Sequence, residues 1–252
     1  MQLSEQIVLV TGGARGVGAA VIRAFAAQGA RVVINFRASE DAARELVDEF
    51  PEQAVAFRAD VTDREAVYEM VAMAEDVFGA PVTTVVNNAL DYSFNGDARS
   101  KFEDLDWSEI DDQFATVVRG ALNVIQAATP AMAANGFGRV INIGTNLFQN
   151  PVVPYHDYTA AKAALLSLTR TASADLGPQG ITVNMVSGGL LRTTDASKAT
   201  PEAVFDLIAG MTPLRSVTTP QEFADAVLFF ASPWSRAVTG QNLVVDGGLV
   251  RD

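Results

Sequence analysis

The stretch TGGARGVGAA, residues 11–20, follows directly on the apolar run Ile7-Val8-Leu9-Val10. The run reads as a short strand buried on both faces, and the small residues after the glycines read as the start of a helix. A glycine-rich turn between strand and helix has a physical use. Bare backbone turns tightly, and the free N–H groups and dipole at the helix N-terminus favour an anion such as a pyrophosphate. The spacing Gly12-x-x-x-Gly16-x-Gly18 differs from the G-x-G-x-x-G dinucleotide fingerprint, and a plain strand-to-helix turn is the competing reading. The loop also holds Arg15, a cation kept among glycines in a chain of formal net charge −12.

Outward from this turn, short β-branched runs alternate with longer helical patterns. Strands are predicted at 7–10, 31–36, 54–58, 83–87, 140–143, 181–186 and 242–245. Helices are predicted at 16–28, 39–50, 62–78, 158–176 and 220–230, with 107–134 either one long helix or a helix with a break. Over 62–78, Val67, Met70, Val71, Ala74 and Val77 share one face. This alternation predicts a single α/β domain over residues 1–252, a doubly wound Rossmann-type fold with a parallel sheet of about seven strands. Residues 88–106 are polar and aromatic without periodicity, and 187–218 open on glycines and hold one short helical segment, 201–209. Loops of that length in a compact domain are often functional. The second is expected to be a substrate loop or lid, hinged at Gly188 and Gly189.

Composition narrows the function classes. The chain has no cysteine, which excludes disulfides and thiolate metal sites, and a single histidine, His156, argues against a histidine-based metal centre. No apolar run is long enough for a membrane span, and MQLSEQIVLV lacks the basic start of a secretory signal. A cytoplasmic protein is expected. The charge of −12 makes nucleic acids and anionic membranes poor partners.

The glycine loop resembles the TGxxxGxG loop of the short-chain dehydrogenase/reductase family, and further matches extend over nearly the whole chain. Asp60-Val61 resembles the pair that lies beside the adenine, and Asn87-Asn88-Ala89 the NNAG motif that braces the sheet, with Leu90 in place of its glycine. Tyr158-x-x-x-Lys162 resembles the catalytic YxxxK pair. Asn184 and Gly188 match an N-x-V-x-G stretch, with Ser187 where proline is usual, and Val245-Asp246-Gly247-Gly248 resembles the C-terminal VDGG. The 3-oxoacyl-(acyl carrier protein) reductase group is the branch most resembled. The resemblance implies a nicotinamide dinucleotide held by Gly12, Arg15, Gly16, Val17, Gly18, Asp60, Val61, Asn88, Ala89, Tyr158, Lys162 and Gly188.

The kind of dinucleotide is read from the second strand. NAD-binding chains place an acid at its end, for the ribose hydroxyls. Here that end reads Asn35-Phe36-Arg37-Ala38-Ser39, with no acid before Glu40. A 2′-phosphate would meet Arg37, Ser39 and, across the glycine loop, Arg15, and a guanidinium takes phosphate with two hydrogen bonds. NADP(H) is the expected cofactor; two solvated surface arginines are the alternative.

Tyr158 and Lys162 lie one helical turn apart on the same face. A nearby ammonium favours the phenolate, so the phenol can protonate a ketone oxygen as hydride reaches the carbon. By the family's spacing the catalytic serine position falls on Thr145, whose hydroxyl retains the hydrogen bond. The relay asparagine position falls on Val117, which has none, unless the register slips to recruit Asn123 or Thr116. His156, Asp157 and Tyr155 are candidates for substrate contact or proton relay, with local bonding as the plainer reading. Trp107 and Phe114 are expected to pack.

The leading substrate is a 3-oxoacyl thioester, with a CoA thioester or a free ketone as alternatives. An acidic carrier protein would need a basic patch, for which Arg192, Arg99 and Lys101 are the candidates. A cofactor-binding protein with little catalysis is the reading of another class. The resemblance also implies a homotetramer, with small residues Ala160, Ala161, Ala163 and Ala164 available either for helix pairing or for packing on the sheet.

Overall fold

In the computed structural model, which describes residues 1–194, 197–198 and 200–251, strand β1 (Ile7–Val10) lies inside the sheet and is buried along its length. Successive strand side chains point to opposite faces. Val8 and Val10 accordingly join one hydrophobic cluster, and Ile7 and Leu9 a second. Both faces therefore need a cover. The other strands are β2 (Arg31–Phe36), β3 (Ala54–Arg58), β4 (Thr84–Asn87), β5 (Gly138–Thr145), β6 (Ile181–Gly188) and β7 (Asn242–Val245). All pair in parallel in the order β3-β2-β1-β4-β5-β6-β7. The doubly wound sheet read from the sequence is the one present. Its order reverses between β1 and β4, where an open α/β sheet leaves a crevice beyond its strand ends.

The helices are α1 (Gly16–Ala27), α2 (Glu40–Glu49), α3 (Arg64–Phe78), α4 (Trp107–Gln113), α5 (Gly120–Ala134), α6 (His156–Leu176), α7 (Glu202–Met211) and α8 (Pro220–Ala231). Phe25 of α1, Leu46 of α2 and Phe223 and Phe230 of α8 cover the Val8 face. Met70 of α3 and Val124 and Met132 of α5 cover the other. Caps set several boundaries. The carboxylate of Asp63 accepts from the N–H groups of Glu65 and Ala66, so α3 starts at Arg64 rather than at 62. The segment 107–134 is helical throughout, with a π-helical turn at Phe114–Arg119 between α4 and α5.

Two strands run further than predicted, and this matters for the site. β5 and β6 extend over the glycines at their ends and bring Thr145 into register with Gly188. Glycine at 144 is required by packing, because a Cβ there would lie 2.4 Å from Ser187 Oγ. Gly188 is thus the last residue of a strand and not the start of a loop. Of the expected lid, 202–211 form α7, while Asp195, Ala196 and Ala199 lie outside the described residues. On α6, Ala161 packs inward, whereas Ala160 and Ala163 are exposed. Among the described residues no helix is long and apolar enough to cross a membrane.

Candidate active site

The glycine loop is held in place from β4. The Asn88 side chain donates to the carbonyl oxygens of Thr11 and Gly12 at 2.9 and 3.1 Å. Thr11 Oγ1 in turn accepts from the N–H groups of Asn88 and Ala89 at 2.9 and 3.0 Å. Gly12 and Gly16 have φ of 58° and 53°, a region that favours glycine. The first helical bond of α1 runs from Ala19 N–H to Arg15 O at 3.1 Å. The N–H groups of Gly16, Val17 and Gly18 precede it, at the end of the helix where the dipole favours an anion.

A cavity of about 870 Å³ runs from this loop in both directions. Arg15, Arg37, Ser39, Asp60, Val61, Asn88 and Ala89 line it, and Thr145, Tyr158, Lys162 and Gly188 line its other end. Gly18 does not. A Cβ there would lie 2.3 Å from Gly12 O, so its bareness lets α1 close onto the loop and does not serve a ligand directly. With a helix N-terminus in the middle and cations to one side, these residues fit an elongated anionic dinucleotide.

Along the wall near the end of β2, Arg37 is engaged by two carboxylates. Its Nη2 lies 2.7 Å from Asp91 Oδ2 and its Nη1 3.8 Å from Asp60 Oδ2. The hydrogen bond and charge of Asp91 hold the guanidinium pKa above its ordinary value. Burial raises the Asp60 pKa, but bonds from the Thr62 N–H and hydroxyl, with the Arg37 charge, bring it below the usual carboxylate range.

At the opposite end of the cavity, Thr145 and Tyr158 line the same part of it, with the Thr145 side chain acting to lower the phenol pKa. Burial pushes the Tyr158 pKa up to about 12, against the smaller pull of the Thr145 side chain. Lys162 is buried, donates to Ile143 O at 2.6 Å, and is brought down to about 8 by burial. Its Nζ lies 5.9 Å from the centre of the Tyr158 ring.

Rings missed by sequence reasoning surround Tyr158. Tyr92 stacks on it with centroids 5.2 Å apart, and Phe94 meets it edge-on at 5.2 Å. Tyr92 also donates to Asp157 Oδ1 at 3.0 Å, which with burial holds its phenol above the ordinary range. The one signal in the sequence was the aromatic, aperiodic character of 88–106. Tyr155 packs on Tyr92 and accepts from Gly96 N–H at 3.0 Å.

Val117, at the relay position by the family's spacing, does not line the cavity. Val117 is buried in the π-helical turn among Ala121, Ala161, Leu165 and Met185. No register slip recruits Asn123, whose amide donates to Val61 O at 2.9 Å. Thr116 does line the cavity. His156 lines a separate, smaller cavity and meets the Phe102 ring at 5.4 Å. Phe114 packs against the cluster around Val117, Trp107 is 73% exposed in the single chain, and neither lines the cavity.

Beyond Tyr158 the cavity is walled by Leu147, Val152, Leu190, Leu191, Val204 and Ile208. The three basic candidates for a carrier-protein patch are engaged elsewhere. Arg99 donates to Pro154 O and Gly96 O, Lys101 to Asp97 O, and Arg192 pairs with Glu202 beside the Phe205 ring.

Residues 12–250 match the protein family described as enoyl-(acyl carrier protein) reductase. The chain is 33% identical to nodulation protein G of Azospirillum brasilense, covering 98% of this chain and 99% of that one. It is 32% identical to the 3-oxoacyl-[acyl-carrier-protein] reductase FabG of Staphylococcus epidermidis, covering 96% and 97%. Among solved structures, a double mutant of a Serratia marcescens short-chain dehydrogenase/reductase superposes with a TM-score of 0.86 at 31% identity, over 99% of each chain.

Proposed function

Because the chain belongs to the short-chain dehydrogenase/reductase family, we propose that it reduces a carbonyl with NADPH, Tyr158 acting as general acid. The observation that carries this reading is that Thr145, Tyr158 and Lys162 line one cavity together with Arg37 and Ser39. A bound reduced nicotinamide supplies the hydride. Tyr158, uncharged at neutral pH, gives its phenolic proton to the carbonyl oxygen as negative charge grows there. Thr145 Oγ1 accepts from Leu147 N–H at 3.3 Å, which turns its own hydrogen toward the phenol or the substrate oxygen. The Lys162 ammonium, anchored on Ile143 O, stabilises the phenolate left behind.

The leading substrate is a 3-oxoacyl thioester, a choice supported by the similarity to a 3-oxoacyl reductase and by apolar walls suited to an acyl chain. A free apolar ketone is the second reading, favoured by the engagement of Arg99, Lys101 and Arg192 away from any docking patch. Fluorescence titration with both reduced cofactors tests the coenzyme. Tighter NADPH binding is expected, and equal affinity or tighter NADH binding contradicts it. An activity screen over acyl thioesters and ketones tests the substrate. Binding of NADPH without turnover on any of them would leave the protein a cofactor binder with little catalysis.

A further inference from the structure

Arg37 follows β2, and Asp91 follows β4, and β1 lies between those strands. Their ion pair therefore spans the exit of β1, where the glycine loop begins, and both residues line the same cavity as Gly12 and Asp60. Asp91 is presented from a fixed support, since its carbonyl oxygen accepts from the buried Gln113 amide of α4 at 2.8 Å. The carboxylate thus stands where an anion brought by a ligand would stand.

We propose that Asp91 is a coenzyme-specificity residue, an internal anion that competes for Arg37 with the 2′-phosphate of the nucleotide. This rests on the NADPH reading above. A nucleotide with a free 2′-hydroxyl leaves the Arg37–Asp91 pair intact. One with a 2′-phosphate must separate the pair and then sit beside the Asp91 and Asp60 carboxylates. Discrimination by Arg37 is consequently weaker than the cation alone would give, because a repulsive element has been set against the phosphate.

Calorimetric titration with adenosine 2′,5′-bisphosphate and adenosine 5′-monophosphate isolates this half of the site from turnover. Wild type, Asp91→Asn, Arg37→Ala and the double variant are compared. Asp91→Asn keeps the shape of the side chain and should bind the bisphosphate about two- to fivefold more tightly, the scale set by releasing a half-exposed ion pair. Monophosphate binding should stay within about twofold, and the gain should vanish in the Arg37→Ala background. Unchanged bisphosphate affinity in Asp91→Asn overturns the proposal. So does weakened monophosphate binding, which would make Asp91 a ribose ligand, or a gain that persists without Arg37. Failure of the NADPH reading looks different: wild type and Arg37→Ala would then bind the two nucleotides alike.

Discussion

At Thr145 a single hydroxyl accepts from the Leu147 amide and lines the cavity beside Tyr158 and Lys162. Thr145→Ala removes the remaining neutral donor to the substrate oxygen, and the expected loss in kcat is a factor of ~100 or more. Thr145→Ser should stay active, since only a methyl is lost. Steady-state kinetics on both decide it, and an unimpaired Thr145→Ala would show that Thr145 only packs. Lys162 sets the pH dependence. With its pKa lowered to about 8, its charge is lost as pH rises through that value, and the stabilisation of the phenolate goes with it. Tyr158, raised to about 12, stays protonated throughout and is not the cause. Reduction should therefore slow above pH about 8, a limb absent from the residual activity of Lys162→Arg, whose guanidinium does not titrate. A flat pH–rate profile through that value would contradict this role. Thr145, Tyr158 and Lys162 were legible by spacing. Asp91 and Tyr92 were not, because they act from an aperiodic segment where no period indicates which way a side chain faces.

Among the elements, the π-helical turn at Phe114–Arg119 sits where the sequence allowed a break, and it carries Val117 into an apolar cluster. The amide in Val117→Asn would be buried without a ready partner, at about 1–3 kcal/mol. For a domain of this size each kcal/mol lowers Tm by roughly 2–4 °C. A drop of several degrees with no gain in rate is expected from thermal melts and kinetics together. An undiminished Tm with faster turnover would mean that the amide finds the relay. Element identity was legible from periodicity, and element ends were not. Glycine at 144 and 188 argues against a strand on propensity, yet tight contacts with Ser187 and Phe223 require it there, and the extended β5 is what delivers Thr145. Asp63, by contrast, is a cap signal that the predicted start of α3 overlooked.

For the molecule as a whole, the sheet order gathers the glycine loop, Arg37, Asp60, Asn88, Thr145 and Gly188 at the C-terminal ends of the strands, around one cavity. The alternating β-branched runs made that architecture readable, since strands buried on both faces and separated by helices have few other ways to pack. The substrate was less readable, because its walls come from the irregular segments around Phe94, Leu147 and Leu190. The most direct measurement is NADPH oxidation by wild type and Tyr158→Phe with a 3-oxoacyl thioester and an apolar ketone, with NADPH affinity measured on the same preparations. Turnover by the wild type and a loss of about 100-fold or more in Tyr158→Phe, at nearly unchanged NADPH affinity, is the predicted result. A Tyr158→Phe protein as active as the wild type would show that another group protonates the substrate oxygen.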